Sequence, residues 1–232
     1  AFLSGGSMVN AAMNPQLALD RFNITKIVYS GIAGGVNPNL HIGDVAIASQ
    51  WAQYQEALYA REVDGKFIPP SWMGTLPYPN FGMSFPMPIS VRTTAHPEGE
   101  QVKWLPVDQD MLKIAEKVAT SVELAQCTAD NICLQEAPRV VVGGNGVSGQ
   151  TFVDNAEYRK YVYSTFQANV LDMETASTAT VAYVNRVPFI AFRSLSDLAG
   201  GGPGENEIGT FFQVAADNSA KVVLKFLSQL PA

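Results

Sequence analysis

Residues 187–202 read VPFIAFRSLSDLAGGG, a stretch that joins an apolar strand, an acidic residue and a run of glycines. The first six residues, 187–192, carry no polar side chain, which predicts a strand with both faces covered. Helices are predicted on either side, at 173–185 and 207–229, because each segment follows a polar or acidic starting residue. A buried strand between helices indicates a layered α/β domain.

The same alternation of strands and helices continues through the rest of the chain. Further strands are predicted at 26–30, 44–48, 139–142 and 170–171, and further helices at 8–22, 108–125 and 155–167. The sequence contains no internal repeat, and we expect one domain over residues 1–232.

Residues 61–106 interrupt this alternation. Eight of the 14 prolines lie between Pro69 and Pro106, which is too many for regular structure. The same segment carries the aromatic residues Trp72, Tyr78, Phe81, Phe85 and Trp104, which is too aromatic for a disordered linker. We therefore expect a packed surface excursion that serves as a lid or as a partner contact.

Composition excludes several classes of protein. Of the 232 residues 47% are hydrophobic and only 16% are charged, which provides a large core and argues against disorder. The net charge of −6 disfavours nucleic-acid partners and anionic membranes. The apolar stretches are far shorter than the ~20 residues of a membrane span. The two histidines and two cysteines lack the spacing of a zinc site, and we predict no metal.

Two short motifs point to the secretory pathway. Cys127 and Cys133 lie six residues apart in a polar stretch, which predicts a small disulfide-closed loop, with two free thiols as the alternative. Asn23 begins an Asn-Ile-Thr triplet, which is either a glycosylation acceptor or an ordinary turn. Because disulfides persist in oxidising compartments, the two motifs together favour a secreted or vacuolar protein.

Two carboxylates stand where ligands usually bind. Glu174 follows the strand at 170–171, and Asp197 follows the strand at 187–192. Ligands of open α/β sheets bind beyond the carboxyl ends of the strands, so the pair marks a candidate site. The simpler interpretations are a helix-start acid for Glu174 and a loop or cap residue for Asp197.

Three further features lie beside these acids. Gly31–Gly35 predicts a turn that lets a ligand approach the backbone closely, although it matches neither a dinucleotide nor a Walker A motif. Gly200–Gly202 predicts a loop, either an ordinary turn or a moving lid. Arg193 is a candidate for orienting an anion or a water molecule, and a buried structural arginine is the alternative.

Four long segments carry a family resemblance: LSGGSMVNAAM at 3–13, YSGIAGGVNPNLHIGDVAIASQWA at 29–52, GVSGQTFVDNAEYRKYVYSTFQANVLDMETAS at 146–177, and the stretch at 187–202. Through them the chain resembles the nucleoside phosphorylase/nucleosidase superfamily. The most similar branches are the plant bark-storage and vegetative-storage-like proteins, followed by the bacterial methylthioadenosine/adenosylhomocysteine nucleosidases. The cysteine pair also resembles a paired-cysteine loop of the storage-like branch. The resemblance implies a three-layer α/β/α sandwich with a mixed central sheet.

The resemblance also implies roles for individual residues. Asp197 matches the general acid that interacts with purine N7, and Arg193 matches an arginine near the attacking water or phosphate. Glu174 matches the glutamate that binds the ribose hydroxyls. The remaining substrate-binding positions implied by the match are Ala33, Gly34, Phe152, Val153, Met173 and Ser196.

Two departures from the family pattern shape the expected function. The phosphorylases carry an arginine just before the glycine-rich turn, whereas this chain has none there, as in the hydrolases. The family's first strand, with the glutamate that activates the water, is expected to precede residue 1. The resemblance thus implies a purine nucleosidase without cofactor, which binds a purine nucleoside or base. A storage or nucleoside-binding protein with weak or no activity is the alternative.

Assembly is predicted from the resemblance and from the aromatic segment. The resembled hydrolases pair as homodimers, and an exposed cluster of aromatic residues usually marks an interface. We therefore expect a homodimer that uses residues 61–106 and the helix at 8–22. In the alternative, the aromatic residues of 61–106 pack back onto their own domain.

Overall fold

The computed structural model describes residues 1–231 and has a mixed α/β fold, in which helices surround a large curled sheet of eight strands. The helices are α1 (Ser7–Arg21), α2 (Gln109–Ala119), α3 (Ala156–Phe166), α4 (Thr175–Asn185) and α5 (Ile208–Leu227). The strands are β1 (Ile27–Gly35), β2 (Val45–Ile47), β3 (Gln50–Gln53), β4 (Ala57–Tyr59), β5 (Arg61–Val63), β6 (Lys66–Ile68), β7 (Ser84–Pro86), β8 (Ile89–Val91), β9 (Glu100–Val102), β10 (Leu105–Pro106), β11 (Val140–Val142), β12 (Asn145–Ser148), β13 (Ala168–Asp172) and β14 (Phe189–Asp197). The predicted fold class is confirmed.

Strands β1 and β14 form the centre of the sheet, whose order is β10-β3-β12-β13-β1-β14-β2-β11. They run parallel, from the pair Ile27 and Phe189 to the pair Gly34 and Asp197. Strand β13 runs antiparallel to β1 and pairs with it only at Gly34 and Gly35. This register places the carboxyl ends of β1 and β14 side by side, with the residues after β13 next to them.

The central strands are longer than predicted. All nine residues of β14 are buried, so Asp197 ends this strand and does not follow it. The strand continues through polar residues because their side chains are hydrogen-bonded, as in the Ser194 hydroxyl that donates to the Gly43 carbonyl at 3.2 Å. Residues Gly31–Gly35 likewise belong to β1, and the predicted turn there is wrong.

The helices agree with the prediction except for α2, which ends at Ala119 and not at residue 125. The Asp108 carboxylate accepts the backbone N–H groups of Asp110 and Met111 and so caps the start of α2. At the other end, the Ser121 hydroxyl donates to the Val118 carbonyl at 2.9 Å. Such side-chain bonds to the backbone compete with continued helix.

Residues 61–106 are more regular than predicted. Short antiparallel pairs, β5 with β6 and β8 with β9, lie within the segment, and β7 pairs with β4 just before it. Tyr78 and Trp104 pack on Phe166 of α3, with ring centroids 4.7 and 6.4 Å apart. Trp72, by contrast, is 80% exposed. The segment therefore packs partly on its own domain.

Cys127 and Cys133 form a disulfide, which confirms the predicted loop. Asn23 lies exposed after α1; its glycosylation and the secretory location stay predictions. Within residues 1–231 we find no helix of sufficient length and apolarity to cross a membrane.

Candidate active site

A cavity of about 170 Å³ opens at the carboxyl ends of β1, β13 and β14. All eight residues that were predicted to contact the substrate or to act as its acid line this cavity, whereas Arg193 does not. The lining residues are Ile32, Ala33, Gly34, Thr151, Phe152, Val153, Leu171, Asp172, Met173, Glu174, Ser196, Asp197 and Ile208. The topology of the sheet therefore brings together residues that lie up to 176 positions apart, from Ile32 to Ile208.

Asp197 is a buried carboxylic acid on the cavity wall, with 2% of its surface exposed. Its Oδ1 accepts the backbone N–H of Ala199 at 2.8 Å, and its Oδ2 accepts the Ser196 hydroxyl at 2.9 Å. Burial raises the pKa of Asp197 above its ordinary value, while these hydrogen bonds partly oppose the rise. A carboxyl group with a raised pKa retains its proton at higher pH, as a general acid requires.

Glu174 occupies the position before α4, and its side chain makes no capping hydrogen bond to that helix. Its Oε1 accepts the backbone N–H of Ser7 at 2.8 Å, at the start of α1, where the helix dipole favours negative charge. Its Oε2 lies 3.5 Å from Nη2 of Arg193. These contacts fix the carboxylate on the cavity wall, where its oxygens are placed to accept hydrogen bonds from hydroxyl groups.

Arg193 lies behind Glu174 and is 4% exposed. Its Nε lies 2.7 Å from Oδ2 of Asp172 and donates to the Thr175 hydroxyl at 2.7 Å. Nη1 donates to the Ile32 carbonyl at 3.0 Å, and the guanidinium stacks on the Tyr29 ring at 4.8 Å. These are the contacts of a buried structural arginine, one that holds Glu174 in place.

Asp172 anchors this arrangement and was not predicted as a site residue. Its Oδ1 accepts the backbone N–H groups of Glu174 and Thr175, both at 3.1 Å, and so caps α4. Its carboxylate also accepts the hydroxyls of Ser148 and Thr175. The sequence carries one signal for this residue, because an acidic residue directly before the predicted helix at 173–185 is typical of a helix start.

The glycines of β1 make room for these side chains. A Cβ atom at Gly31 would lie 2.0 Å from Nη1 of Arg193, and one at Gly34 would lie 3.1 Å from Oδ1 of Asp197. A Cβ contact below 3.0 Å is essentially never observed. Alanine at position 31 would therefore fit only if the Arg193 guanidinium moved away from its hydrogen-bond partners.

Phe152 and Val153 form the apolar side of the cavity. Val153 is buried, while Phe152 at the cavity mouth is 50% exposed. Ile208, the first residue of α5, also lines the cavity and was not predicted, because a single apolar residue at a helix start carries no signal of its own. An apolar slot beside a buried acid fits a flat aromatic base.

Known proteins resemble the chain over nearly its whole length. The profile of the phosphorylase superfamily matches residues 1–228. Bark storage protein A of Populus deltoides is 25% identical over 241 residues, which cover 98% of this chain and 73% of that protein. The 5'-methylthioadenosine/S-adenosylhomocysteine nucleosidase of Staphylococcus aureus (strain Newman) is 28% identical over 229 residues, which cover 98% and 80%.

Solved structures share the fold. The corresponding nucleosidase of Neisseria meningitidis, in complex with methylthio-immucillin-A, superposes with a TM-score of 0.70 at 22% identity, and the match covers 98% of this chain and 80% of that one. Futalosine hydrolase of Helicobacter pylori gives a TM-score of 0.68 at 21% identity, with coverage of 98% and 78%.

Proposed function

The chain belongs to the phosphorylase superfamily, and from this premise we propose that it is a purine nucleosidase. It hydrolyses the N-glycosidic bond of a purine nucleoside and releases the free base and the sugar. The observation that carries the proposal is the placement of Asp197 and Glu174 on the wall of one cavity, beside an apolar slot.

The chemistry follows from these positions. The flat base packs against Phe152, with Val153 beside it, and its N7 lies toward Asp197. Asp197 donates its proton to N7 as the bond between C1 of the sugar and the base nitrogen breaks, and the bonding electron pair leaves with the base. Glu174 accepts hydrogen bonds from the ribose hydroxyls and so holds the sugar as its positive charge develops. A water molecule then adds to C1, and the proton that it loses passes through solvent to restore the acid form of Asp197.

Water is favoured over phosphate as the nucleophile. The segment Tyr29–Gly35 contains no arginine, and the guanidinium of Arg193 is engaged by Asp172, Thr175 and the Ile32 carbonyl. Binding phosphate there would require Arg193 to give up buried contacts. The relatives that are named nucleosidases or hydrolases support the same choice.

A storage or ligand-binding role is the second candidate. The similarity to bark storage protein A over 98% of the chain favours it. In that case the cavity binds a nucleoside or base but turns it over weakly or not at all.

A nucleoside panel distinguishes the two candidates. The protein is incubated with adenosine, inosine and methylthioadenosine in phosphate-free buffer, free base is quantified by chromatography, and binding of each compound is measured by calorimetry. Release of many bases per protein molecule is the result expected of a nucleosidase. Binding without release supports the storage role and overturns the proposed hydrolysis.

A further inference from the structure

Two loops that begin at residues lining the cavity are hydrogen-bonded to each other. One leads from Val153 into α3, and the other leads from Asp197 into α5. The Asn155 N–H donates to the Ala199 carbonyl at 3.1 Å. A Cβ atom at Gly200 would lie 2.3 Å from the Asn155 nitrogen, so the backbones are in contact. The loop of the base-binding residues and the loop of the acid are therefore in direct backbone contact.

Asn206 connects these loops through its side chain. Its Nδ2 donates to Oδ1 of Asp154 at 3.0 Å and lies 3.4 Å from Oδ1 of Asp197. Its own Oδ1 accepts the backbone N–H of Ile208 at 3.0 Å. A single amide thus contacts the loop before α3, the acid, and the first residue of α5, which lines the cavity.

The two carboxylate oxygens of Asp197 have different hydrogen-bond partners. Oδ1 faces two N–H donors, from Ala199 and Asn206. A proton on that oxygen would be repelled by the hydrogens of these two donors. Among residues 1–231 the hydrogen-bond partner of Oδ2 is the Ser196 hydroxyl, which lies 2.9 Å from it and 3.4 Å from the Ala33 carbonyl. Since a hydroxyl can rotate, Ser196 can donate to Ala33 and leave Oδ2 free to hold a proton.

We propose that Asn206 is a positioning residue for Asp197: with the Ala199 N–H it holds Oδ1 as an acceptor, and so assigns the transferable proton to Oδ2. This inference rests on the proposed function, because it describes how the proposed acid is oriented. Asn206 acts through Asp197 and through the joined loops.

Charged groups surround this position on several elements. Asp154 precedes α3 and raises the pKa of Asp197 through its charge, whereas the Asn206 hydrogen bond lowers it. Arg159 of α3 lies beside Gly201, and Glu207 lies beside Gly202. Glu174 lies on the wall of the same cavity. The amide of Asn206 is the neutral group that separates the carboxylates of Asp154 and Asp197.

The test compares Asn206→Ala and Asn206→Asp with the wild type. With Asn206→Ala, kcat should fall by about tenfold, the scale of one lost hydrogen bond to a charged group, while KM changes less. The alkaline limb of the kcat profile, where Asp197 loses its proton, should move to higher pH because the carboxylate loses a donor. In Asn206→Asp it should move further, since a negative charge is added.

Asn185→Ala is the matched control, because Asn185 also donates two side-chain hydrogen bonds, to Gln16 and to the Val181 carbonyl, at an exposed position on α4. Its kcat and pH profile should equal those of the wild type. If the alkaline limb of the kcat profile is unchanged in both Asn206 variants, the positioning role is overturned, even if the melting temperatures of the variants fall. An inactive wild type would overturn the proposed function and this inference together, whereas an active wild type with insensitive Asn206 variants overturns the inference alone.

Discussion

Asp197 is the residue on which the proposed chemistry depends most. Asp197→Asn keeps the size of the side chain but provides an amide, which is far too weak an acid to protonate the departing base. The loss of a general acid costs ~10²–10⁴-fold in rate, and kcat of the variant should fall within that range while substrate still binds. Steady-state kinetics measure this. A variant with near wild-type kcat would remove Asp197 from the mechanism.

The melting temperature of Asp197→Asn shows that this variant folds, and its dependence on pH tests the raised pKa of Asp197. Because burial raises the folded-state pKa of Asp197 above the unfolded value, the ionised residue opposes folding. This cost is absent below the unfolded pKa, grows as the pH rises through the folded pKa, and stays constant above it. The melting temperature of Asp197→Asn relative to the wild type should therefore increase with pH across that window. A difference that decreases with pH would contradict the raised pKa.

A substitution at Gly31 tests whether Arg193 holds Glu174 in place. Gly31→Ala places a Cβ 2.0 Å from Nη1 of Arg193, and Arg193 cannot move freely because Asp172 and Thr175 hold it. We expect a loss of about 1–3 kcal/mol in unfolding free energy, as for other overpacked sites, and a higher KM because Glu174 loses its support. Urea denaturation and kinetics measure the two effects.

Gly209→Ala is the control for this substitution. Gly209 lies in α5, and apart from its chain neighbours and its own helix backbone no heavy atom of residues 1–231 lies within 4 Å of its Cβ position, so alanine should leave stability unchanged or raise it by up to ~1 kcal/mol. If Gly31→Ala and the wild type have equal stability and equal KM, Arg193 does not hold Glu174 in place.

The two acids of the site could be predicted from sequence, whereas their supports could not. Asp197 and Glu174 stand beside predicted strands, and strand ends are where ligands bind. The Ser7 N–H that holds Glu174 lies 167 residues away. Asn206 contacts Asp154 across 52 residues. Contacts of this kind depend on how the chain folds and leave no local pattern, although the resemblance supplied the substrate-facing positions.

At the scale of elements, the segment 61–106 provides the clearest test of packing. The Phe81 ring lies 4.9 Å from that of Tyr158 and 5.1 Å from that of Tyr161 on α3. Phe81→Ala should lower the unfolding free energy by about 1–2 kcal/mol, less than the ~3–5 kcal/mol of a fully buried phenylalanine. Trp72→Ala is the control and should change it by less than ~0.5 kcal/mol, because Trp72 is exposed. Equal effects of the two substitutions in urea denaturation would contradict this packing.

Elements with a clear apolar pattern were predictable, including the short strands β2 and β11, whereas a short strand that carries polar residues was not. Helices α1, α4 and α5 follow from their length and apolar spacing. Strand β12, in contrast, reads NGVS and is largely buried, because the Asn145 amide donates to the Phe166 carbonyl and the Ser148 hydroxyl bonds Asp172. The hydrophobic pattern does not predict such a strand, because its polar residues are hydrogen-bonded to residues that lie far away in the sequence.

At the scale of the molecule, we propose a homodimer that uses α1. Val9, Met13 and Leu17 form an apolar stripe along one side of this helix and are 67%, 55% and 43% exposed. Residues 7–19 carry no charge, so two chains of net charge −6 can meet there without strong repulsion. Light scattering should give twice the 25.0 kDa chain mass, and Met13→Glu should give the single mass.

Leu224→Glu is the control for the interface, because Leu224 is exposed on α5 and not on α1. This variant should remain dimeric. A wild type of 25.0 kDa at every concentration would contradict the dimer and leave the stripe on α1 without this partner.

The identity of the sugar product tests the central claim most directly, namely that this cavity adds water to a purine nucleoside. Wild-type protein and Asp197→Asn are incubated with a nucleoside that the panel identifies, with and without inorganic phosphate, and base, reducing sugar and sugar 1-phosphate are quantified. We predict equal amounts of base and reducing sugar, no dependence on phosphate, and strongly reduced release with Asp197→Asn. Base release that requires phosphate and yields sugar 1-phosphate would contradict the account.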